Sequence, residues 1–401
     1  MLPSAPRPRS GAGAALLLLA SLAAAGPTGA QATRPDSAAL VTVLGRDTIA
    51  LERWVRAGNR IEAEAVVRSP STSLRRYTLE LTPSGAMRRF EERVLDPAAP
   101  GGAPRRVETI EAADSGWTRR VTMGDSTSTS RVRAGADALP WVDLVHWPFE
   151  LALRDVPAND TATRPFLAGG RALAYTLARV APGQVTLTHP LRGPSTVRTD
   201  AAGRLLGLDA AQTTRKVVVT RAPWVDLEGP ARRWAEADRA GRGMGELSGR
   251  AREEFTVAGA KISLDYGVPV RRGRDIFPAV VQWGQLWRTG ANRATHFSTD
   301  RALVLGDPAR GATLTVPAGD YTLFSMPEAE GGWLIVNRQT GQNGTSYDAA
   351  RDLGRVRMTR TTVADPVERF TIRAEQGGAA GAGVLRIEWD RSRFEVPFRV
   401  R

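Results

Sequence analysis

Histidine, the commonest general acid and base in enzymes, occurs three times in this 401-residue chain, and the three copies are far apart. His146, His189 and His296 stand in no metal-binding spacing such as H-E-x-x-H, so no metal site is predicted. A lone histidine is usually structural. His189 precedes Pro190, which indicates a turn, and His146 lies in an apolar segment where it could be a buried donor. Only His296 lies beside a block of polar residues that could form a site.

Other catalytic signatures are missing from the sequence. There is no G-x-S-x-G nucleophile elbow, no phosphate-binding P-loop and no calcium-binding D-x-D-x-D-G loop. A Ser/His/Asp triad would have to use one of the three histidines. Two carboxylates could still hydrolyse a glycoside, with Asp265, Asp275 and Asp348 as the nearest candidates. An enzyme is therefore the less favoured class, and neither a catalytic residue nor a cofactor is assigned.

Cysteine is absent, which excludes disulfides, cysteine-based zinc sites, thiol nucleophiles and a bacterial lipoprotein anchor. The protein must be held together by burial and hydrogen bonding. Its composition, with 42% hydrophobic and 24% charged residues, is that of a globular protein with material for at least two cores.

The N-terminal segment has the pattern of a secretory signal peptide. Arg7 and Arg9 precede an apolar run from Ala14 to Ala25, and Ala30-Gln31-Ala32 fits a cleavage site. The alternative is a membrane anchor, but the run of about a dozen residues is shorter than the ~20 that a spanning helix needs. We expect residues 1–32 to be removed and the mature protein, which has no later transmembrane segment, to be periplasmic or secreted.

The chain carries a net charge of +13, and nearly all of its cations are arginine, since lysine occurs only at Lys216 and Lys261. An anionic partner, such as an envelope lipid or polysaccharide, would explain this charge. An arginine-rich genome would explain it equally, because the arginines are scattered rather than grouped. Nucleic acid is not expected as a partner, because the protein is exported and no aromatic-basic RNA motif is present.

Residues 33–228 are predicted to form an antiparallel β domain, built as a curved or barrel-like sheet. Short alternating segments recur between turn formers every 8–12 residues. Thr48–Arg56 and Arg60–Arg68, for example, are joined by Ala57-Gly58-Asn59, which predicts a hairpin.

One apolar segment, Leu139–Arg154, interrupts this rhythm. Its apolar side chains recur at helix-like spacing, at Trp141, Leu144, Val145 and Phe149. Pro148 is expected to end or kink any helix there. The segment could simply cover one face of the sheet. It could also plug a curved sheet around a lipophilic cavity, as in periplasmic lipoprotein carriers.

Residues 229–252 are predicted to be a short helical linker, with a helix at Ala231–Ala240 followed by a glycine-rich joint. Residues 253–401 contain about nine candidate strands, which indicates a β-sandwich or jelly-roll-like domain. Asp390-Arg391-Ser392 is read as a turn between two of its strands.

Six separated blocks of the C-terminal region resemble, in order, the family of unknown function numbered 2911. They are Asp265–Pro269 (DYGVP), Gly273–Phe277 (GRDIF), Trp287–Asn292 (WRTGAN) with Ala294-Thr295, Pro317–Phe324 (PAGDYTLF), Asn337–Gly341 (NRQTG) and Gly344–Asp348 (GTSYD). The resemblance covers about Glu254 to Arg401 and departs from the pattern at His296, where a hydroxyl or apolar residue is expected. It implies an exported, β-rich protein and no particular mechanism.

The polar and aromatic residues of these blocks are the candidate ligand-binding site. Arginine can clamp a carboxylate or phosphate through two parallel bonds, asparagine both donates and accepts, and aromatic rings can stack on a sugar. A buried Arg–Asp pair and a loop-tying asparagine would require the same residue types, and the tryptophans could belong to the core. The candidates are Arg274, Trp287, Arg288, Asn292, His296, Asn337, Gln339, Tyr347 and Asp348.

Three functions remain open from the sequence. The favoured one is a non-enzymatic binding protein for an unidentified small molecule, an envelope-derived lipid or glycan or another anionic ligand. The second is an envelope hydrolase that uses carboxylates and His296. The third is a structural or protein-interaction module. The oligomeric state is not predicted.

Overall fold

The computed structural model describes residues 36–157 and 160–401, and residues Asp36–Arg401 form one compact unit. The described chain is mainly β, as predicted, with two large sheets and two α-helices. In this part of the chain no helix is both long and apolar enough to cross a bilayer. The expected signal peptide lies outside the described residues, and the domain limits 33–228, 229–252 and 253–401 stay predictions.

The first sheet contains fifteen strands: β1 (Asp36–Leu44), β2 (Asp47–Ala57), β3 (Arg60–Val67), β4 (Ser73–Leu81), β5 (Met87–Leu95), β6 (Arg106–Ala113), β7 (Gly116–Met123), β8 (Ser126–Val132), β9 (Leu139–Pro140), β10 (Thr161–Ala168), β11 (Arg171–Ala181), β12 (Gln184–His189), β13 (Gly193–Thr199), β14 (Leu205–Asp209) and β15 (Val218–Ala222). Their order is 8-7-6-5-4-3-2-1-15-14-13-12-11-10-9, and all neighbours are antiparallel except β9 and β10. The pairing of β1 with β15 joins two meanders into one open sheet.

The apolar segment packs into the core of this sheet. Helix α1 (Trp147–Arg154) has its apolar residues buried in the same cluster as side chains from both meanders, such as Tyr77 and Tyr175. The expectation for Pro148 was wrong, because this proline lies in the first turn of α1. There its missing N–H needs no partner and its fixed φ suits the helix.

A buried carboxylate from the sheet caps this helix. Glu52 of β2 is fully buried and accepts the backbone N–H groups of His146 (2.8 Å) and Trp147 (2.8 Å). Its Oε1 also lies 3.2 Å from Nδ1 of His146, which in turn is 3.1 Å from Oγ1 of Thr42. The donors at the helix N-terminus and the negative charge therefore satisfy each other inside the core.

A second buried carboxylate ties the helix to the other meander. Glu150 of α1 accepts from Nη1 of Arg221 on β15 (2.6 Å) and from the backbone N–H of Leu205 on β14 (3.0 Å). Arg154, at the end of α1, reaches Asp36 of β1 at 2.7 Å. The helix is thus bound to strands on both sides of the β1–β15 seam.

Helix α2 (Glu228–Arg239) lies where a linker helix was expected, and it packs on the sheet. Leu227 and Ala231 are buried with Leu51, Val66, Leu74 and Leu95 in a small apolar cluster, with Trp234 beside it. Arg68 lies over the Trp234 ring at 4.7 Å from its centroid.

The second sheet contains nine strands: β16 (Ser248–Val257), β17 (Ala260–Pro269), β18 (Thr295–Thr299), β19 (Leu303–Leu305), β20 (Leu314–Val316), β21 (Gly319–Glu328), β22 (Gly331–Asn337), β23 (Asp352–Gln376) and β24 (Ala382–Val400). Their order is 16-17-18-21-22-23-24-19-20. The sheet curls so that β17 faces β23, where the backbone N–H of Ile372 donates to the hydroxyl of Tyr266 at 3.1 Å. This gives the facing layers that a sandwich requires.

The predicted turn at Asp390-Arg391-Ser392 is wrong, since β24 continues through it. Asp390 has a φ of 54°, and the register between β23 and β24 shifts beside it. The turn-forming residues therefore mark an irregularity inside a long strand rather than its end.

We predict that Glu52→Ala lowers the free energy of unfolding by roughly 3–5 kcal/mol, because it leaves buried donors of His146 and Trp147 without an acceptor. Urea unfolding measures this change. The control is Glu62→Ala on the neighbouring strand, whose side chain is 68% exposed and should cost less than ~1 kcal/mol. Equal losses in the two variants would show that the buried cap contributes nothing special.

Candidate functional site

The largest mixed polar and apolar cavity that includes the predicted residues lies where the loops of the two sheets meet. It has a volume of about 370 Å³, within the range of small-molecule sites. One wall is the β14–β15 connection, residues 211–216, together with Leu44 at the end of β1. The other is formed by residues of the long β17–β18 connection and by Trp389 of β24.

The junction beneath the cavity is fixed by hydrogen bonds and an ion pair between the sheets. The backbone N–H of Arg46 donates to the carbonyl of Arg272 at 3.0 Å. The Arg272 guanidinium reaches Asp47 at 2.8 Å, and its backbone N–H donates to Glu368 at 2.9 Å. The turn between β1 and β2 is therefore held against the loop that carries Arg274.

Positive charge converges on the cavity without a matching negative charge. Arg215, Lys216, Arg274 and Arg288 line it, and no aspartate or glutamate does so among the described residues. Burial lowers the pKa of Lys216, and the charges of Arg274 and Arg288 lower it further. Burial also lowers the pKa of Arg288. The physical cause is the same in both cases, because a cation loses hydration without gaining a counter-charge.

The four cations differ in how they are held. Arg215 pairs with Asp143 outside the cavity. Arg274 donates from Nε to the carbonyl of Arg271 at 2.9 Å and from Nη2 to that of Val270 at 2.5 Å. Nζ of Lys216 donates to the carbonyl of Ala211 at 2.9 Å.

Arg288 stands out because its guanidinium has no hydrogen-bond or ion-pair partner in the described chain. Its backbone is nevertheless rigid. Trp287 forms a two-bond bridge with Ser325 of β21 (2.7 and 2.9 Å), and Oγ1 of Thr295 donates to the carbonyls of Arg288 (3.1 Å) and Thr289 (2.7 Å). The side chain is thus presented from a fixed point with its donors available.

Two glycines of the family blocks allow this placement by close approach. A Cβ on Gly267 would lie 1.7 Å from the carbonyl oxygen of Ala291, so only glycine lets the loop rest against β17. A Cβ on Gly344 would lie 2.8 Å from Cδ of Arg288. The glycines of the DYGVP and GTSYD blocks therefore allow the loop that carries Arg288 to pack in this position.

Backbone strain is concentrated at the same place. Seven non-glycine residues have a positive φ in the described chain, and three of them lie at this cavity: Lys216 (55°), Thr289 (53°) and Asn292 (63°). This conformation is unfavourable, especially for β-branched threonine, and such strain persists where the surroundings enforce it, frequently at functional sites.

The rest of the lining is largely apolar and aromatic. Trp287 stacks on Trp389 with ring centroids 6.1 Å apart, and its Nε1 donates to the carbonyl of Gly290 at 3.1 Å. Trp389 is 3% exposed, yet its Nε1 has no partner among the described residues. Trp389 belongs to the core and Trp287 packs against it, so the aromatic part of the lining is fixed by the second sheet.

Of the nine predicted residues, four line this cavity: Arg274, Trp287, Arg288 and Asn292. Asn292 is at its edge, where Nδ2 donates to the carbonyl of Ser248 at 3.3 Å. His296 lines a separate groove with Asp265 and Asp320, and its Nδ1 is 3.4 Å from Oγ1 of Thr322.

The other four predicted residues organise the loop after β22 instead of the cavity. Asn337 is fully buried and donates to the carbonyl of Asp348 (2.8 Å) and to Asp352 (2.9 Å). The hydroxyl of Tyr347 also donates to Asp352, at 2.7 Å. The Asp348 side chain caps a 3₁₀ turn, and the Gln339 carbonyl accepts from Thr322. These contacts match the loop-tying alternative that the sequence left open.

Sequence reasoning missed the contribution of the first sheet. Leu44, Arg215 and Lys216 line the cavity but lie far from the family blocks in sequence. The one available signal was Lys216 itself, since it is one of two lysines in a chain that otherwise uses arginine.

A second, much smaller cavity of about 60 Å³ lies beside the segment that leads into α1. Trp141 donates to the Tyr175 hydroxyl at 2.7 Å, and Asp143 pairs with Arg192 (3.2 Å) and Arg215. Burial would raise the pKa of Asp143, but the two arginines outweigh it and the pKa is lowered. This space is too small for a lipid, so the interpretation of a plug around a large lipophilic cavity does not apply here.

Comparison with known proteins identifies only the C-terminal region. Residues 248–398 match the family model described as "Protein of unknown function (DUF2911)", which confirms the resemblance in the sequence. No curated protein matches the chain.

Two solved structures from Pseudomonas aeruginosa show weak likeness. A DUF1089 family protein is 12% identical with a TM-score of 0.31, over 41% of this chain and 91% of its own. The MucA/MucB complex is 10% identical with a TM-score of 0.11, over 91% of this chain and 89% of its own. Likeness at this level carries no argument about fold or function.

His189, beside the small cavity, makes stability depend on pH. Burial, followed by the charges of Arg192 and Arg215, lowers its pKa to about 4. Its Nδ1 accepts the backbone N–H of Leu191 at 3.0 Å, which requires the neutral ring. Because the folded-state pKa lies below the unfolded one, the stabilisation is complete above pH 6.5 and is lost as the pH falls towards 4.

We predict that this group removes up to about 3 kcal/mol of unfolding free energy between pH 7 and pH 4. Urea unfolding of the wild type and of His189→Gln at both pH values isolates the effect, since glutamine can accept the same N–H and does not titrate. The variant should lose less stability on acidification. The same loss in both proteins would show that His189 does not carry it.

Proposed function

Because residues 248–398 match a family whose function is unknown, we propose a function from the geometry of the inter-sheet cavity. The protein is a non-enzymatic periplasmic or secreted binding protein, exported through the predicted signal segment 1–32. It binds an envelope-derived lipid, glycan or other anionic small ligand in the cavity formed by the loops of both sheets.

The observation that carries this proposal is the uncompensated charge. Four cations border a cavity that no carboxylate lines in the described chain, and two of them, Lys216 and Arg288, have no ion-pair partner there. Like charges in a partly buried space repel each other and lose hydration. An anionic ligand would relieve both effects, and a ligand with an apolar part would also cover Val280, Val281 and Leu286.

The same lining argues against the hydrolase alternative at this cavity. General acid–base catalysis needs a group that exchanges protons near the working pH. Lys216, whose pKa is lowered, is the one such group in the lining, and no histidine, aspartate or glutamate lines the cavity among the described residues to act with it. The carboxylates suggested by sequence are engaged or exposed: Asp265 pairs with Arg250, and the Asp275 side chain is 88% exposed. At this cavity, binding is therefore better supported than hydrolysis.

The interaction-module alternative has less support as well. The exposed large apolar side chains lie singly on different strands and loops in the described part of the chain, and isolated residues of this kind are normal. They are Met123, Val180, Leu191, Val218, Trp224 and Leu286.

We predict that the purified exported protein retains a small molecule that native mass spectrometry detects as added mass, and that Arg288→Ala reduces its occupancy or affinity about tenfold. Loss of one charge-assisted contact has this order of magnitude. The variant should melt close to the wild-type temperature, because Arg288 has no partner in the described chain.

The matched control is Arg310→Ala, since Arg310 lies in another loop and its side chain is 65% exposed. It removes the same charge from the surface and should leave the added mass unchanged. If the Arg288→Ala variant unfolded, Arg288 would be needed for the fold and its role in ligand binding would be unsupported. If both variants lowered the ligand occupancy equally, the loss would reflect the lower net charge of the protein and not a contact made by Arg288.

A further inference from the structure

We propose that the inter-sheet cavity selects a phosphate monoester attached to an apolar chain. This inference rests on the proposed function and narrows its ligand to one chemical class. It follows from the number of uncompensated cations, from the hydrogen-bond donors that remain available, and from the apolar side of the same cavity.

The first step concerns charge. Arg215 shares Asp143 with Arg192, and the charges of Glu368 and Asp47 act on Arg274, which leaves Lys216 and Arg288 as the two cavity cations without a carboxylate in the described chain. A carboxylate or sulfate ester carries one negative charge and would leave one of these two cations uncompensated. A phosphate monoester carries between −1.5 and −2 charges at about pH 7. The dianion is therefore the better electrostatic match.

The second step concerns donors. Arg274 already uses Nε and Nη2 on backbone carbonyls, so its position is fixed. Arg288 has its planar set of donors free, which suits two parallel bonds to phosphate oxygens. Nζ of Lys216 keeps two N–H groups after its bond to Ala211.

The third step concerns the apolar side. Leu44, Val280 and Val281 line the same space, and Leu286 is 43% exposed beside them. Inorganic phosphate would leave this surface unused. An alkyl chain would bury it, with a contribution of about 0.8 kcal/mol per buried methylene.

The test compares octyl phosphate with octyl sulfate on the intact mature protein by isothermal titration calorimetry. The two esters share a chain and a tetrahedral headgroup and differ in charge above the second phosphate pKa of about 6. The described lining has no histidine or carboxylate, the side chains that ordinarily titrate near this pH range. We expect octyl phosphate to bind at least tenfold more tightly than octyl sulfate at pH 7.5 and within about threefold at pH 5.0.

Inorganic phosphate separates a free ion from an amphiphile, and it should bind at least tenfold more weakly than octyl phosphate. Lys216→Gln should reduce the preference for phosphate over sulfate, whereas Arg310→Ala should preserve it. The wild-type pH dependence tests the proposal even if the Lys216 variant folds poorly.

Equal binding of the two esters at pH 7.5 would overturn the phosphate class and leave the anion-binding function standing. If inorganic phosphate bound as tightly as octyl phosphate, the inference that the ligand carries an apolar chain would be wrong. If neither ester binds, both the inference and the proposed function fail.

Discussion

The fold depends on one buried carboxylate. Glu52 leaves β2 towards the interior and accepts the first donors of α1, so the charge and the helix terminus are stable only together. Removing either would leave buried polar groups without partners. Glu150 makes the equivalent connection to β14 and β15. The helix therefore joins the two meanders across the β1–β15 seam and fills the core of the first sheet.

This constraint explains why the candidate site lies at the junction of the sheets. With the apolar segment buried in the first core, only about 60 Å³ remains beside it. The larger cavity forms where the β14–β15 connection meets the β17–β18 connection. Repulsion among its cations and left-handed backbone at Lys216 and Thr289 oppose folding there. The bridge between Trp287 and Ser325 and the bonds from Thr295 offset these costs by fixing the loop from behind.

Local patterns in the sequence predicted much of the fold, and long-range pairings could not be predicted. The hairpin of β2 and β3 and the helix at α2 follow from alternation, turn residues and helical composition. The segment TIALERWVR shows Glu52 as one polar residue among others, and nothing local reveals that it meets a helix terminus about a hundred residues later. Asp390 has a turn-forming neighbourhood, but pairing with β23 keeps it inside β24.

For the candidate site, too, local motifs could be predicted from the sequence and long-range contacts could not. The family blocks predicted Arg274, Trp287 and Arg288 because those residues stand in recognisable motifs, and the same motifs also contain Asn337 and Tyr347, which hold a loop together. Motif membership alone does not separate recognition from loop folding; the hydrogen-bond partners do. Lys216 and Leu44 lie before residue 248, where the family match begins. The matched region therefore supplies one wall of the cavity and the first sheet supplies the other. A ligand that needs both walls is recognised by the whole chain, and the matched region by itself would lack Lys216 and the apolar contact of Leu44.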